Sequence, residues 1–313
     1  MAASLDKDIA TLLEFIPPMP RPRDTDVWAL KTAMNAATAA IPPYEVPLAD
    51  TADITIVQAD VSLELRLYRP QAREVLPIIV YYHGGGYVIG DLNVGDTACR
   101  ALAADTGALV VSVDYRLAPE FPYPVPNDDA WTALNWVAAN AAAFGADASR
   151  LAVCGESAGA NLSAAITLRA RKAGEPAIVA QVLLYPAPGY PEIDSPSHRD
   201  YGDSPLLTSD DTLFYWELYL PDKSQINEDA APALAINHSA LPPAFIGLGE
   251  CDCSRDCGAA YAAQLKEAGV AVTDKTYPGM PHGFYSFIAL PRPHGPRWMR
   301  FAHGCAPSFL PEP

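Results

Sequence analysis

The hydrophobic positions of this chain change period along its length, and each change marks a different element. Leu5, Ile9, Leu12, Leu13 and Ile16 recur three or four residues apart, which predicts a helix over Leu5–Phe15. After the breaker PPMPRPRD, Val27, Trp28, Leu30 and Met34 repeat that spacing. A second helix is therefore expected from about Thr25, with Asp24 as its N-cap. From Ile54 the period falls to two, and Ile54, Ile56 and Val57 followed by LELRLYRP predict an antiparallel hairpin.

PIIVYYHGG and ALVVSVDYR are apolar without a break, as strands buried on both faces are, and residues 94–106 between them have helical spacing. The alternation then continues. An Ala-rich helix over Asp128–Phe144 closes at Gly145, and the strand RLAVCGES runs straight into the helix AGANLSAAITLRARKAG. IVAQVLLYP and AFIGLGECD are further strands, followed by a helix over 254–268 and the strand VAVTDKTYP. An aromatic, turn-rich insertion over about 187–235 interrupts the pattern, and its segment LFYWELYL is apolar enough to be a helix. Strands alternating with helices predict an α/β fold: a mostly parallel sheet flanked by helices on both faces, with the hairpin as an antiparallel edge. The N-terminal helices fit a lid or a simple packing extension equally well. The insertion is placed to join them as one cap.

Composition narrows the function classes. Half of the 313 residues are hydrophobic and 19% are charged, which is enough to bury one large core. A formal net charge of −16 repels phosphate, so nucleic acid and anionic membrane surfaces are not expected partners. No apolar run approaches the roughly 18 residues of a membrane span, and MAASLDKDIATLLEF lacks a basic segment followed by an apolar one, so a cytoplasmic protein is expected. The six cysteines then read as thiols. Cys251, Cys253 and Cys257 have C-x-C-x₃-C spacing without a second pair, a poor zinc pattern, and no metal is expected.

Chemistry enters at Gly155-Glu156-Ser157-Ala158-Gly159, a G-x-S-x-G motif between an apolar strand and a helix. A serine at such a tight turn is strained, and side chains two positions either side of it would collide, hence the glycines. The turn aims Oγ out of the sheet and leaves the Ala158 N–H near the positive end of the helix, facing a developing oxyanion. Upstream, His83-Gly84-Gly85-Gly86 ends a buried strand and reads as the other half of an oxyanion hole, with His83 as a structural residue of that loop.

In this fold a carboxylate and then a histidine follow the serine, each on a loop after a strand. Asp252 follows AFIGLGE and His282 follows VTDKTYP, so Ser157, Asp252 and His282 are the expected triad. Glu250 at its strand end and Asp256 in the following helix are the competing acids. His198, His238, His294 and His303 lack strand-end context and are expected at the surface or in loops. Tyr87, Tyr190, Phe214 and Tyr215 are candidates for the acyl pocket.

With HGGGYVIGD, VDYRLAPE, GESAGANL, CDCSRDCGAAY and HGF in this order, residues 45–290 resemble the hormone-sensitive-lipase-like (bacterial family IV) carboxylesterases of the α/β-hydrolase fold. The resemblance implies a helical cap, cleavage of short- to medium-chain acyl esters without a cofactor, the triad above, and oxyanion donors on the N–H groups of Gly85, Gly86 and Ala158. With it the chain divides into N-terminal cap helices (1–45), a core in two parts (46–186 and 236–290) and a cap insertion (187–235), and the proline-rich sequence beyond adds an irregular tail (291–313).

Three departures stand out. Glu156 and Ala160 replace the aspartate and last glycine of G-D-S-A-G-G. Asp252-Cys253-Ser254 replaces Asp-Pro-Leu. The C-terminus reads PRPHGPRWMRFAHGCAPSFLPEP, whose prolines forbid the long helix the resemblance implies and leave an uncovered patch that a homodimer could use. Two other functions share this framework: a non-catalytic small-molecule receptor, and an amide deacetylase or acyltransferase using the same triad. Because all three triad residues are present, turnover is favoured over the receptor.

Overall fold

The computed structural model describes residues 2–15, 21–39, 44–58, 61–71, 75–191 and 194–287. Two short helices come first, α1 (Lys7–Phe15) and α2 (Val27–Ala39). The second starts later than expected and Asp24 does not cap it. Pro22–Asp24 form a 3-10 turn, and the cap passes to Asp26, whose Oδ1 accepts the N–H groups of Trp28 (3.1 Å) and Ala29 (3.0 Å).

The sheet is built from β1 (Leu48–Gln58), β2 (Val61–Pro70), β3 (Leu76–Tyr82), β4 (Leu109–Asp114), β5 (Ala146–Glu156), β6 (Ala180–Leu184), β7 (Ala244–Gly249) and β8 (Val272–Tyr277). Their order is β1-β2-β4-β3-β5-β6-β7-β8. Strands β1 and β2 pair antiparallel, with Ile54 opposite Leu65, and β2 joins β4 antiparallel. Every later pairing is parallel. The expected parallel α/β sheet with an antiparallel edge is what forms.

Both faces of the central strands are covered, which explains their unbroken apolar sequence. On β3, Ile78, Val80 and Tyr82 face one cluster, with α4 (Val125–Asn140) and α5 (Ala158–Ala173). Ile79 and Tyr81 face the other, with α3 (Asp96–Thr106), Ile9 of α1 and the aromatic turn Phe284–Phe287. Each fully buried aliphatic side chain contributes roughly 1.5–3 kcal/mol. The helix α8 (Arg255–Glu267) packs beside α5 over β6 and β7 through Tyr261, Ala262 and Leu265. The last strand differs: VTDKTY is mostly exposed, and its charges suit a sheet edge.

The insertion after β6 contains α6 (Pro196–Tyr201) and α7 (Ser209–Tyr219), the latter covering the expected LFYWELYL helix and closed by a Thr208/Asp211 capping box. Arg23, from the N-terminal turn, reaches it with bonds of 2.9 Å to Asp210 and 2.9 Å to Glu217. Among the described residues, no helix is long and apolar enough to cross a membrane. The expected irregular tail falls outside the described residues.

Candidate active site

The chemically distinctive side chains all sit on loops that leave the carboxyl ends of parallel strands, where sheets of this type gather reactive groups. Ser157 follows β5 with φ 52° and ψ −120°, a left-handed conformation costly for any residue but glycine. Its N–H donates to Leu184 O at 2.9 Å, tying the turn to β6. The neighbouring glycines have no alternative. A Cβ on Gly155 would lie 2.2 Å from Gly159 O, and one on Gly159 would lie 2.0 Å from Tyr82 O. The strained turn is therefore held by close backbone approach on both sides. Its geometry places Ala158 N–H among the first donors of α5, which a helix leaves without partners of its own.

From Ser157 a hydrogen-bonded line runs inward. Ser157 Oγ lies 2.8 Å from His282 Nε2, and His282 Nδ1 lies 2.8 Å from Asp252 Oδ2. Asp252 is fully buried and His282 nearly so, whereas Ser157 is half-buried and reachable from outside. Burial pushes the Asp252 carboxyl up. The charge and hydrogen bond of His282, with two further donors from Ser254, outweigh that and hold it below its ordinary value. The buried acid is thus an anion, and its imidazole partner carries the proton on Nδ1, leaving Nε2 as an acceptor for the serine hydroxyl. Such a line can withdraw the serine proton during attack on a carbonyl.

The rival acids are engaged elsewhere. Glu250 Oε2 accepts the N–H of Gly279 at 2.8 Å, lacing the acid-bearing loop to the histidine-bearing one. Cys251 N–H adds a bond of 2.9 Å to Met280 O between the same loops. Asp256 pairs with Arg255 at 2.9 Å and accepts from Ser197 N–H at 2.8 Å, facing α6. The thiols of Cys251 and Cys253 each donate to a backbone carbonyl, of Ala3 and Leu207, both at 3.6 Å. Among the described residues, no cluster of three potential ligands could hold a metal.

The loop 83–86 packs onto the elbow: a Cβ on Gly84 would stand 3.4 Å from Ser157 Cβ. Gly85 and Gly86 have φ of 112° and 61°, and a Cβ on Gly86 would meet Tyr215 Cγ at 2.4 Å. His83 is fully buried, stacks on Tyr115 with ring centroids 4.3 Å apart, and donates from Nδ1 to Gly84 O at 2.6 Å. Burial pushes it down to about 4, against the pull of that bond, so it stays neutral and serves the loop.

The four candidate pocket residues separate. Tyr87 is buried with its ring stacked 3.7 Å from Tyr219, and its hydroxyl accepts from Asn161. Tyr190 is half-buried beneath Lys223 and against Trp216. Phe214 lies under Arg23. Tyr215 stands directly against the glycine loop. A cleft of about 650 Å³ opens further out between the N-terminal segment and the insertion, lined by Leu5, Arg21, His198, Thr208, Leu213 and Cys251, and by no residue of the Ser157–His282–Asp252 line.

One expectation fails: His198 is buried and lies in α6, its ring bonded to Ser209 Oγ at 2.7 Å. His238 lies in a loop, as expected, though buried there with its ring 3.1 Å from Pro232 O. His294 and His303 lie outside the described residues. Sequence reasoning also missed Tyr185, whose hydroxyl bonds the buried Glu156 while its ring packs 4.9 Å from that of His282. Ser254 and Asn161 were missed as well. Only Ser254 carries a readable signal, a donor two residues after an acid, the spacing of an Asx turn.

Residues 79–286 match the protein family described as alpha/beta hydrolase fold. The chain is 46% identical over 234 residues to carboxylesterase NlhH of Mycobacterium tuberculosis, spanning 72% of each. It is 36% identical over 230 residues to the ethyl acetate hydrolase of Pseudomonas putida, spanning 71% of each. Among solved structures, an esterase of the archaeon Pyrobaculum calidifontis is similar with a TM-score of 0.85 at 36% identity, over 92% of this chain and 93% of that one.

Proposed function

The chain belongs to the hormone-sensitive-lipase-like branch of the α/β-hydrolase family, and from that premise we propose that it is a serine carboxylesterase acting through an acyl-enzyme on Ser157. The observation that carries this reading is the unbroken line from Ser157 Oγ to His282 Nε2 and from Nδ1 to Asp252 Oδ2, both steps 2.8 Å.

Ser157 Oγ attacks the ester carbonyl carbon while His282 Nε2 takes the hydroxyl proton. The carbonyl oxygen becomes an oxyanion, held by the N–H groups of Gly85, Gly86 and Ala158. Asp252 keeps the imidazole in the correct tautomer and stabilises the imidazolium. Collapse breaks the ester C–O bond, and His282 gives its proton to the departing alkoxide. Water then attacks the acyl-enzyme, losing a proton to the same nitrogen; the bond to Ser157 Oγ breaks, His282 returns the proton to that oxygen, and the acid leaves.

The N-terminal helices and the insertion form a cap over this site. Short to medium acyl chains are the substrate class, with Tyr215 and Phe214 bounding the acyl group and Tyr87 and Tyr190 behind them. Support comes from the closeness of Tyr215 to Gly86 and from the acetate ester named for one relative.

The test is hydrolysis of p-nitrophenyl esters from acetate to palmitate, with Ser157→Ala beside the native protein. The expected result is a maximum at short chains and a loss of about 10⁴- to 10⁶-fold in the variant. A folded native protein no faster than Ser157→Ala on every ester overturns the reading and favours a small-molecule receptor.

A further inference from the structure

Ser254 stands at the joint between Asp252 and His282, and its hydroxyl is not used by the helix it begins. It occupies the N-cap position of α8, where a serine ordinarily accepts from the second or third N–H of the helix. Here the side chain makes no such bond. Instead the hydroxyl turns back and donates to Asp252 Oδ1 at 2.8 Å, beside the Ser254 backbone N–H, which reaches the same oxygen at 2.8 Å. The hydroxyl oxygen also lies 3.2 Å from His282 Nδ1. Ser254 is 3% exposed, so water does not compete for these contacts.

One arrangement of hydrogens satisfies every contact. Ser254 Oγ–H points to Oδ1, His282 Nδ1–H points to Oδ2, and the serine oxygen accepts a weaker share of that imidazole proton. The carboxylate is then gripped at both oxygens and cannot turn about its Cβ–Cγ bond without losing a donor. Any residue at 254 but proline would supply the backbone N–H, whereas the hydroxyl belongs to this sequence. Where the family resemblance implies Asp-Pro-Leu, this chain lacks the stiffening proline and has a buried donor in place of leucine.

We infer that Ser254 is a positioning residue of the triad: its hydroxyl orients the Asp252 carboxylate and, through it, the His282 imidazole toward Ser157. The inference rests on the acyl-enzyme reading above. Besides His282, the titratable groups facing Asp252 are His198 from α6, Tyr185 from the end of β6 and Cys253 from its own loop. Burial lowers His198 and raises Tyr185 and Cys253, so all three are uncharged near neutral pH. Glu156, from β5, accepts the Tyr185 hydroxyl on the far side of that ring. The groups the Ser254 hydroxyl touches are Asp252 and His282.

The test compares the native protein, Ser254→Ala, Ser254→Thr and Ser157→Ala on p-nitrophenyl acetate across pH 5 to 9, with thermal midpoints measured alongside. Ser254→Ala is expected to lower kcat by about tenfold, the scale of one hydrogen bond to a charged group, with KM within about twofold. Its acid limb should move to higher pH, because a carboxylate relieved of a donor holds the imidazolium more strongly. Ser254→Thr, which keeps the hydroxyl, should recover most of the rate and the native limb. An unchanged kcat and pH profile in Ser254→Ala overturns the inference, as does a loss that Ser254→Thr shares or that follows a fall in thermal midpoint. Activity surviving in Ser157→Ala overturns the acyl-enzyme reading itself, whereas an inactive Ser157→Ala beside an unaltered Ser254→Ala overturns the positioning role alone.

Discussion

The strand-end loops around Ser157 and the segments of the proposed cap, the N-terminal helices and the insertion, are held by different means. Around Ser157 the backbone is fixed by contacts closer than any side chain allows, with Gly155 and Gly159 pressed against backbone oxygens and a serine left at φ 52°. The insertion meets the N-terminal segment through half-exposed ion pairs, Arg23 with Asp210 and Glu217, and through an apolar cluster that joins Val27, Leu30 and Met34 of α2 to Tyr215 and Leu218, while Lys31 of α2 holds Glu120 of the core at 2.6 Å. Exposed pairs of this kind are worth about 0–1 kcal/mol each. The lesson is one of division: close backbone approach, which tolerates no added atom, sets the geometry around Ser157, whereas side-chain packing and ion pairs, which tolerate exchange, hold the proposed cover.

The sharpest way to break this contrast is Gly159→Ala. Its Cβ would stand 2.0 Å from Tyr82 O, with no flexible neighbour to give way. The expected cost is roughly 3 kcal/mol or more, read by urea denaturation or as a failure to accumulate folded protein. Gly174→Ala is the control. Unlike Gly159 it has a left-handed φ, 83°, but nothing lies within 4 Å, so only the conformational cost of about 1 kcal/mol is expected. A loss in Gly159→Ala no larger than that in Gly174→Ala would mean that close backbone approach does not hold the frame.

Acidification reads buried groups of the frame, in two opposing directions. His83 is held down to about 4 by burial, so the unfolded chain takes up its proton first, and stability is lost as pH falls from 6.5 toward 4. Asp114 is raised to about 6, by burial first and then by Asp91 and Glu64, so its contribution is present at low pH and lost as pH rises through 6. The two slopes offset each other between pH 4 and 6. Asp114→Asn removes one and should expose the other, a loss of about 3 kcal/mol in unfolding free energy between pH 7 and 4. An acid response as shallow as that of the native protein would show that His83 does not carry it.

The smallest effect is expected at the cover. Arg23→Ala should change stability by less than about 1 kcal/mol, yet alter the acyl-length profile, because Asp210 and Glu217 share α7 with Phe214 and Tyr215. Raised salt should shift the native profile in the same direction. An unaltered profile would place the control of chain length elsewhere.

Legibility followed the same division. The unbroken runs of β3, β4 and β5 declared a sheet covered on both faces, and the glycines of the elbow declared its position, because period and steric prohibition are properties of neighbouring residues. The N-cap of α2 was misplaced by two residues because Asp24 and Asp26 look alike locally, and the 3-10 turn beginning at Pro22 decided between them. His198 departs from its expected place for a related reason. A histidine declares neither its burial nor its partner, and Ser209 Oγ, across the turn between α6 and α7, is brought to it by the packing of the insertion.

By itself, the sequence determined the layered α/β architecture, the strained serine turn and the order of acid and base along the chain. All of these follow from hydrophobic period and from glycine where nothing larger fits. Only the tertiary structure decided which carboxylate reaches the imidazole, that Ser254 turns from its helix to that carboxylate, and that Tyr185 seals Glu156 beside His282. These are hydrogen bonds between residues 2 to 30 positions apart, over distances of about 3 Å. A tolerance that narrow is met when the packed sheet aligns its strand ends, and one-dimensional spacing does not encode it.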